Sequence, residues 1–324
     1  MSMATAERIL SDTGAEFNSE LSTAFFRDVV KGLSATKKTL SAKYFYDDLG
    51  SKYFDEICHL DEYYLYKTEL ALLPVVARDM DEILCEDVDV VEFGAGSVHK
   101  IRPLLDSIEH IASFVPIDIS GPHLQESCNV LREEFPEMDI QPVQGDFTQK
   151  INLPNRKFKN MGFFPGSTIG NFTHEEALSF LASAKDTLGN NARFLVGVDT
   201  KKSPEVLHKA YNDNKGVTAK FNLNILHRIN RELGSNIDVD KFEHYAFYNA
   251  TEGRVEMHLV SLEYQCYEFS GEEITFTPGE SIHTENSYKY APDEFRELAA
   301  EAGWGCEKKW ISPNNAFSMF LLHS

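Results

Sequence analysis

The chain has 324 residues, of which 42% are hydrophobic and 25% are charged, and its formal net charge is −20. This length accommodates one large domain or two moderate ones, and the composition is that of an ordinary globular protein. The acidic balance argues against proteins that bind nucleic acid or anionic membranes through a basic surface.

The cysteines and histidines favour a reduced, metal-free protein. The five cysteines are dispersed and form no Cys-x-x-Cys pair, which favours free thiols in a cytoplasmic protein over disulfides or zinc. The eleven histidines show no metal-ligand spacing. No segment has the pattern of a signal peptide or the length of a membrane span. We therefore expect a cytoplasmic monomer with no metal, nucleic-acid or membrane partner.

The first seventy residues combine a helical pattern with a cluster of tyrosines. Apolar side chains recur at helical spacing between Leu21 and Val30, which predicts a packed helix. Six tyrosines follow between residues 44 and 66. A tyrosine offers an apolar ring and a polar tip, which suits the wall of a small-molecule site. Rings packed on a surface helix explain the same pattern equally well, so both interpretations stay open.

The stretch from Asp87 to Ser97, DVDVVEFGAGS, is the centre of the predicted fold. An apolar run leads to Glu92 and then to Gly94-Ala-Gly96. This order is typical of a buried parallel strand that ends in a tight turn beside a cofactor.

Two further apolar runs also end in acids, at Asp118 and at Asp146-Phe147. An acid at the tip of the second strand of such a sheet accepts hydrogen bonds from ribose hydroxyls. A carboxylate beside an aromatic ring suits the amine and the ring of adenine. His99 stands where a dinucleotide fingerprint needs its third glycine, and no P-loop is present. A ligand with ribose and adenine but no phosphate, S-adenosylmethionine (SAM), is therefore favoured over an ordinary α/β turn with acidic strand ends.

Strand and helix patterns alternate as far as Asp199, which predicts a parallel, doubly wound sheet. The fourth strand, residues 161–165, runs into the loop GSTIGNF at residues 166–172. Thr173 and Glu176 have the spacing of a capping box at the start of the next helix. The fifth strand ends at Asp199.

The pattern changes after Thr200. Residues 204–233 are predicted as helical and residues 241–278 as antiparallel strands, an insertion of the kind that forms a substrate lid. A helix from Pro292 to Gly303 and a final strand over residues 310–322 complete the chain.

Several motifs carry a resemblance to a known family. They are Tyr44-Phe-Tyr-Asp, Glu62-Tyr-Tyr, Glu92-Phe-Gly-Ala-Gly-Ser, Gly145-Asp-Phe, Phe164-Pro-Gly-Ser-Thr-Ile-Gly-Asn-Phe and His283-Thr-Glu-Asn-Ser-x-Lys. From about Tyr44 to the C-terminus the sequence resembles the histidine-specific SAM-dependent methyltransferases, which make hercynine for ergothioneine. The Pro-Gly-Ser-x-Ile-Gly-Asn run is the specific mark, because generic methyltransferases carry other residues there.

The resemblance implies an α/β fold and a reaction. The fold is a Rossmann-like methyltransferase sheet, residues 71–200 and 291–324, with a second α+β substrate domain from residues 1–70 and the insertion 201–290. The reaction is trimethylation of the α-amino group of L-histidine, with SAM as the methyl donor and no metal.

The resemblance also implies roles for individual residues. Those that line the SAM pocket are Gly94, Lys100, Asp118, Asp146 and Phe147. Those around the substrate are Asn171 and Tyr211 at the carboxylate, Tyr46 and Tyr63 near the amino group and imidazole, Glu285 and Ser287 on the imidazole nitrogens, and Met257 on the ring. A carboxylate and a hydroxyl at alternate positions of an extended segment point to one side, which agrees with an imidazole clamp. Glu285 taken alone is better explained as a solvated loop acid.

The sequence departs from the family pattern at two places and leaves alternatives open. Leu65-Tyr66-Lys67 replaces an expected Pro-Thr-Arg, and His99 replaces an acid. One alternative is an enzyme that methylates a prenylated tryptophan, although an indole has no acceptor for a serine. The other is a SAM-binding protein without activity. A nucleic-acid methyltransferase is disfavoured by the acidic charge and by the lack of Asn/Asp-Pro-Pro-Tyr after the fourth strand.

Overall fold

A computed structural model describes residues 20–154, 157–269 and 272–324 of the chain. The helices are α1 (Glu20–Leu33), α2 (Asp48–Cys58), α3 (Tyr64–Ile83), α4 (Arg102–Ser107), α5 (Gly121–Glu134), α6 (His174–Leu188), α7 (Pro204–Tyr211), α8 (Val217–Leu233) and α9 (Pro292–Glu301). The strands are β1 (Lys38–Thr39), β2 (Val88–Phe93), β3 (Ile111–Asp118), β4 (Asp139–Ile140), β5 (Val143–Gln144), β6 (Lys159–Phe164), β7 (Arg193–Asp199), β8 (Phe242–Asn249), β9 (Arg254–Ser261), β10 (Gln265–Phe269), β11 (Glu272–Phe276), β12 (Ser281–Tyr288), β13 (Gly305–Ile311) and β14 (Phe317–His323).

The large sheet has the strand order β13-β14-β7-β6-β2-β3-β4, and β5 also pairs with β3. The strands from β7 to β4 are parallel, whereas β14 runs antiparallel to both β7 and β13. This arrangement confirms the predicted α/β fold with a doubly wound sheet. The carboxyl ends of β2, β3 and β6 therefore meet at one edge.

Helices cover both faces of this sheet, which explains why its central strands are buried on both sides without alternation. All six residues of β2 are buried. Successive residues enter opposite cores, because side chains alternate across a strand. Val90 packs with Leu73 of α3 and Leu104 of α4, while Val91 packs with Leu181 of α6.

The second sheet has the order β1-β12-β9-β8, and β10 and β11 form a separate hairpin. The short strand β1 runs parallel to β12, so the N-terminal segment joins the sheet formed by the insertion. Residues from both parts share one hydrophobic core, including Phe25 of α1, Phe221 of α8 and Met257 of β9. The division at residues 70, 200 and 290 stays a prediction, and residues 1–19 of its first segment lie outside the described residues.

The structure corrects three predicted elements. The third acid-tipped strand is two short strands, β4 and β5, on either side of Pro142, which has no N–H for the ladder. The region predicted as helical over residues 204–233 is divided into α7 and α8. Asp213 lies in the break and accepts the amides of Val217 and Thr218 at the start of α8. The final strand over residues 310–322 is a hairpin of β13 and β14.

Two predicted local features are confirmed. The helix predicted near Leu21–Val30 is α1, whose Phe25 and Val29 are buried, while the side chain of Leu21 lies outside the described part. Thr173 and Glu176 form a capping box at the start of α6.

Asp47 ties α2 to α8. Its carboxylate accepts the amide of Gly50 at 2.7 Å, which caps α2. It also accepts hydrogen bonds from Asn224 Nδ2 at 2.8 Å and from the Arg231 guanidinium. Because Tyr46 is the preceding residue, this anchor also holds a predicted site residue in place.

Replacing Asp47 by alanine removes a helix cap and two tertiary hydrogen bonds. We expect the free energy of unfolding of Asp47→Ala to fall by about 2–4 kcal/mol, measured by urea denaturation. Asp48→Ala is the matched control, because Asp48 is the exposed neighbour in the first turn of α2. Its loss is expected to stay below about 1 kcal/mol. Equal losses in the two variants would show that Asp47 does not anchor α2.

Candidate active site

A cleft of about 610 Å³ opens at the carboxyl edge of the large sheet. Its volume lies in the usual range for a small-molecule site. The predicted residues that line it are Tyr46, Gly94, Lys100, Asp118, Asp146, Phe147 and Asn171. All five residues predicted for the cofactor therefore face one cleft, together with two predicted for the substrate.

The glycine turn after β2 brings the backbone close to an aromatic ring. Gly94 has φ +71° and Gly96 has φ +52°, which are left-handed conformations that favour glycine. A β-carbon at Gly94 would lie 3.1 Å from the Phe147 ring. Glycine at this position thus lets Phe147 lie directly against the turn.

Asp118 is held at the end of β3 by backbone amides. Its Oδ2 accepts the amide of Gly96 at 3.0 Å, and its Oδ1 accepts the amide of Ser120 at 2.9 Å. Burial raises the pKa of Asp118, and these hydrogen bonds oppose the shift. Each oxygen keeps a further acceptor site, so the group is oriented and able to accept a ribose hydroxyl.

Asp146 is held as a carboxylate. It accepts hydrogen bonds from Lys43 Nζ at 3.1 Å and from the amide of Thr148 at 3.0 Å. Burial alone would raise the pKa of Asp146, but the hydrogen bonds from Thr148 and the charge of Lys43 outweigh it and lower the pKa. A charged acceptor beside Phe147 suits an exocyclic amine.

Lys100 has a partner that the sequence did not reveal. Its Nζ lies 2.8 Å from Glu69 Oε2, and Glu69 is fully buried in α3. Burial lowers the pKa of Lys100, but attraction to Glu69 outweighs it and the pKa is raised. Glu69 also accepts the amide of Gly166 at 2.8 Å. It thereby joins α3 to the loop after β6, and no local pattern in the helix marks it for that role.

The other predicted substrate residues lie on the second sheet and beside it. Glu285 of β12 pairs with Met257 of β9, and Ser287 pairs with Val255. A bulge at Thr284 breaks the register between His283 and Glu285. If the strand were regular at Thr284, without the bulge, Glu285 would pair with Glu256 and point to the opposite face. The bulge therefore turns Glu285 and Ser287 to the side of Met257.

Predicted tyrosines lie beside β12, where Tyr211 contacts Ser287, and in the cleft, which Tyr46 lines. The Tyr63 ring lies 6.4 Å from the ring of Tyr211, which is buried in α7. Burial raises the pKa of Tyr46 well above its usual value, and the negative charges of Glu285 and Asp118 raise it further. Tyr46 therefore lines the cleft as a neutral phenol.

The loop after β6 brings the two parts together. A β-carbon on Gly170 would lie 2.7 Å from the backbone oxygen of Tyr288 in β12. Only glycine permits this approach, which places Asn171 beside the strand that carries Ser287. The specific motif of the sequence therefore lines the cleft and also contacts β12.

Asp199 is a second residue whose role the sequence did not reveal. It ends β7, is fully buried, and accepts hydrogen bonds from Tyr64 at 2.7 Å and from Lys202. Lys289, also fully buried, lies 2.7 Å from its Oδ2. Tyr64 and Lys289 belong to sequence motifs, but their meeting at Asp199 depends on contacts distant along the chain.

Three possible metal ligands do meet on the outer face of the second sheet, although no spacing in the sequence indicated them. The ligand atoms of Glu256, His258 and His283 lie within 4.8 Å of one another. The two imidazole rings are stacked at 4.7 Å and are only 12° from parallel. Rings stacked in this way do not direct lone pairs at one ion, and Arg254 already binds Glu256 at 2.8 Å. The expected absence of a metal stays a prediction.

The sequence model of one family, described as "Histidine-specific methyltransferase, SAM-dependent", matches residues 25–324. The chain belongs to this family.

Individual relatives carry more specific names. A "Histidine N-alpha-methyltransferase" from Mycolicibacterium smegmatis is 36% identical over 99% of both chains. An "Ergothioneine biosynthesis protein 1" from Schizosaccharomyces pombe is 27% identical over 86% of this chain and 38% of its own length. A "4-dimethylallyltryptophan N-methyltransferase easF" from Aspergillus fumigatus is 25% identical over 91% of this chain and 92% of its own.

Within the part of this methyltransferase that the structure describes, no helix combines the length and hydrophobicity of a transmembrane segment.

Burial makes the negative charge of Glu285 in β12 costly. Desolvation raises the pKa of Glu285 to about 7, and the positive charge of Lys289 opposes the shift. A folded-state pKa above the usual value means that ionisation destabilises the folded protein. The contribution of Glu285 to the free energy of unfolding is therefore fully present at acidic pH and is lost as the pH rises toward 7.

Glu285→Gln removes this titration from the methyltransferase. We expect the stability of the variant relative to the wild type to rise between about pH 4.5 and pH 7, by about 3 kcal/mol in all. Chemical denaturation at several pH values, without ligands, measures it. Glu243→Gln, at an exposed position of β8, is the control and is expected to follow the wild type. If the free energy of unfolding of Glu285→Gln and of the wild type changed in parallel with pH, ionisation of Glu285 would not destabilise the folded protein.

Proposed function

We propose that this protein transfers methyl groups from SAM to the α-amino group of L-histidine and makes hercynine, the first step of ergothioneine biosynthesis. One observation carries the proposal: a carboxylate, a hydroxyl and a methionine, at Glu285, Ser287 and Met257, share one face of two paired strands beside the cleft. The family and the name of the Mycolicibacterium smegmatis relative support the same substrate.

The cleft fits SAM. Glu92 lines it and is buried, and its Oε2 has no hydrogen-bond partner in the described part of the chain, which suits the ammonium group of a bound SAM. Asp118 and Asp146 would hold the ribose and the adenine amine, and Phe147 and Gly94 would flank the adenine ring. Lys100, through its pair with Glu69, would hold the wall of the cleft. SAM supplies an activated methyl group, so no covalent enzyme intermediate is needed.

The substrate face fits a neutral imidazole, which has one donor and one acceptor. Glu285 and Ser287 would bind its two nitrogens, and Met257 would pack on the ring. Asn171 and Tyr211 would bind the carboxylate, at the place where the loop after β6 meets β12. A site built from such polar groups rejects analogues that leave them unpaired.

The chain's contribution to catalysis is alignment. The α-amino group must be neutral, with its lone pair directed at the methyl group. Tyr46 and Tyr63 would surround it, and the raised pKa of Tyr46, caused by burial and then by Glu285, keeps its hydroxyl protonated. Tyr46 therefore orients the amine or relays its proton and does not act as a strong base.

The prenylated-tryptophan alternative fits this face poorly. An indole N–H can donate to Glu285, but the indole has no lone-pair nitrogen for Ser287. The relative with that named substrate is also less similar, at 25% identity against 36%. A SAM-binding protein without activity would not need the tyrosines and the clamp together.

We also propose that the enzyme is a cytoplasmic monomer that needs no metal and binds neither nucleic acid nor membrane. The net charge of −20 supports the absence of nucleic-acid and membrane partners. All five cysteines are unpaired, which agrees with a reducing compartment.

The first test is mass spectrometry of L-histidine incubated with SAM and the wild type, Glu285→Ala or Glu243→Ala. We expect the wild type and the exposed-site control to add three methyl groups. We expect Glu285→Ala to lose about a hundredfold in kcat/KM, because it leaves an imidazole nitrogen unpaired. Wild-type protein that binds SAM but leaves histidine unmethylated, or that prefers dimethylallyltryptophan in competition, would refute the proposal.

Tyr46→Phe tests the role of the hydroxyl. We expect the rate of methyl transfer to fall by about tenfold or more, because one orienting hydrogen bond to the amine is lost. Single-turnover measurements resolve the three transfers. Unchanged rates for all three would show that the Tyr46 hydroxyl neither orients the amine nor moves its proton.

A further inference from the structure

Lys289 lies directly behind the Tyr211–Ser287 pair and is fully buried. Its Nζ is 2.7 Å from Asp199 Oδ2, 2.7 Å from Ser287 Oγ and 3.1 Å from the Tyr211 hydroxyl. An ammonium group has three N–H donors and no acceptor, so these contacts occupy all of its donors. Lys289 therefore has no N–H left for a substrate and acts on the site only through its neighbours.

The hydrogen bonds of Lys289 limit what its neighbours can offer. The Tyr211 hydroxyl donates to Ser287 Oγ at 2.7 Å. Ser287 Oγ thus accepts two hydrogen bonds, from Tyr211 and from Lys289, and only its own proton remains. If Tyr211 instead turned its proton to a carboxylate, Ser287 would have to donate to Tyr211. In either arrangement the two hydroxyls have one proton between them for the substrate.

We propose that Lys289 is a positioning residue that holds Tyr211 and Ser287 as one unit with a single proton for the substrate. The proposal rests on the proposed function, which places Tyr211 at the carboxylate of histidine and Ser287 at its imidazole. In the arrangement found here the proton belongs to Ser287, so Tyr211 lies beside the carboxylate of histidine without donating to it, and Asn171 would supply the donor. Ser287 then donates to the lone-pair nitrogen, and Glu285 accepts the N–H of the other. Lys289 thereby selects the neutral imidazole without touching it.

The surroundings of Lys289 keep its amino group protonated. Burial lowers the pKa of Lys289, but the attraction of Asp199 and the contact with Tyr211 outweigh it, so the pKa is raised. Asp199 also keeps Tyr64 and Lys202 as partners. Removal of Lys289 therefore does not leave the Asp199 carboxylate unpaired, which makes a substitution feasible.

The experiment compares Lys289→Met with Ser287→Ala and the double variant, with L-histidine as the varied substrate. We expect Lys289→Met to raise the KM for histidine by about tenfold or more and to change kcat less, because the contact acts on binding of the ring. Because Lys289 acts through Ser287, the double variant is expected to resemble Ser287→Ala within about twofold. The proposal would be overturned if the KM effects of the two single substitutions multiplied in the double variant. It would also be overturned if the KM of Lys289→Met stayed within about twofold of the wild-type KM.

Lys202→Met is the matched control. Lys202 also donates to Asp199, but its hydrogen bonds go to Tyr64, Asp199 and Thr200 and not to Tyr211 or Ser287. We expect its KM for histidine to stay within about twofold of the wild type. A KM increase equal to that of Lys289→Met would assign the effect to Asp199 and overturn the proposal.

Folding and function are separated by two further measurements. Binding of SAM, measured by calorimetry, reports whether a variant keeps the cofactor cleft. If Lys289→Met fails to bind SAM, it is replaced by Lys289→Gln, whose side chain retains two N–H donors. If neither variant binds SAM, Lys289 is required for folding, and the proposal is overturned. A wild type that does not methylate histidine refutes the proposed function itself, whereas an active wild type with unaffected variants refutes only the role of Lys289.

Discussion

The buried ion pair between Asp199 and Lys289 is the interaction on which the site depends. Asp199 ends a strand of the large sheet, and Lys289 follows a strand of the small one, with 2.7 Å between their charged atoms. An unpaired buried charge is costly, so the packing of the two sheets in which Lys289 meets Asp199 is favoured. The pair therefore helps to place β12 relative to the cleft.

The loop after β6 is a second connection, made by the backbone. The amide of Gly166 donates to Glu69, the Ser167 hydroxyl accepts the amide of Asp199, and Gly170 packs on Tyr288. A side chain at Gly170 would meet the backbone of β12. This requirement gives a physical reason for Gly170 in the loop motif, and it holds Asn171 at the cleft beside β12.

Much of the cofactor cleft was predictable because its signals are local. The apolar run before Gly94 and the acids at Asp118 and Asp146 follow one another at strand ends, and parallel strands bring such ends to one edge. The partners of these residues were not predictable in the same way. Glu69 lies in the middle of a helix and meets Lys100 only after the chain folds, so neither residue indicates the other in sequence.

The sequence by itself determined the alternation of strands and helices, the glycine turn, and the presence of a carboxylate and a hydroxyl two residues apart. These follow from periodicity and backbone conformation, which depend on neighbouring residues. The tertiary structure decided which face Glu285 presents, since one extra residue at Thr284 reverses the side-chain direction of the strand. It also decided that Lys289 stands behind Ser287 with Asp199 as its partner. Such contacts join residues far apart in the chain, and only the packing of the two sheets brings them together.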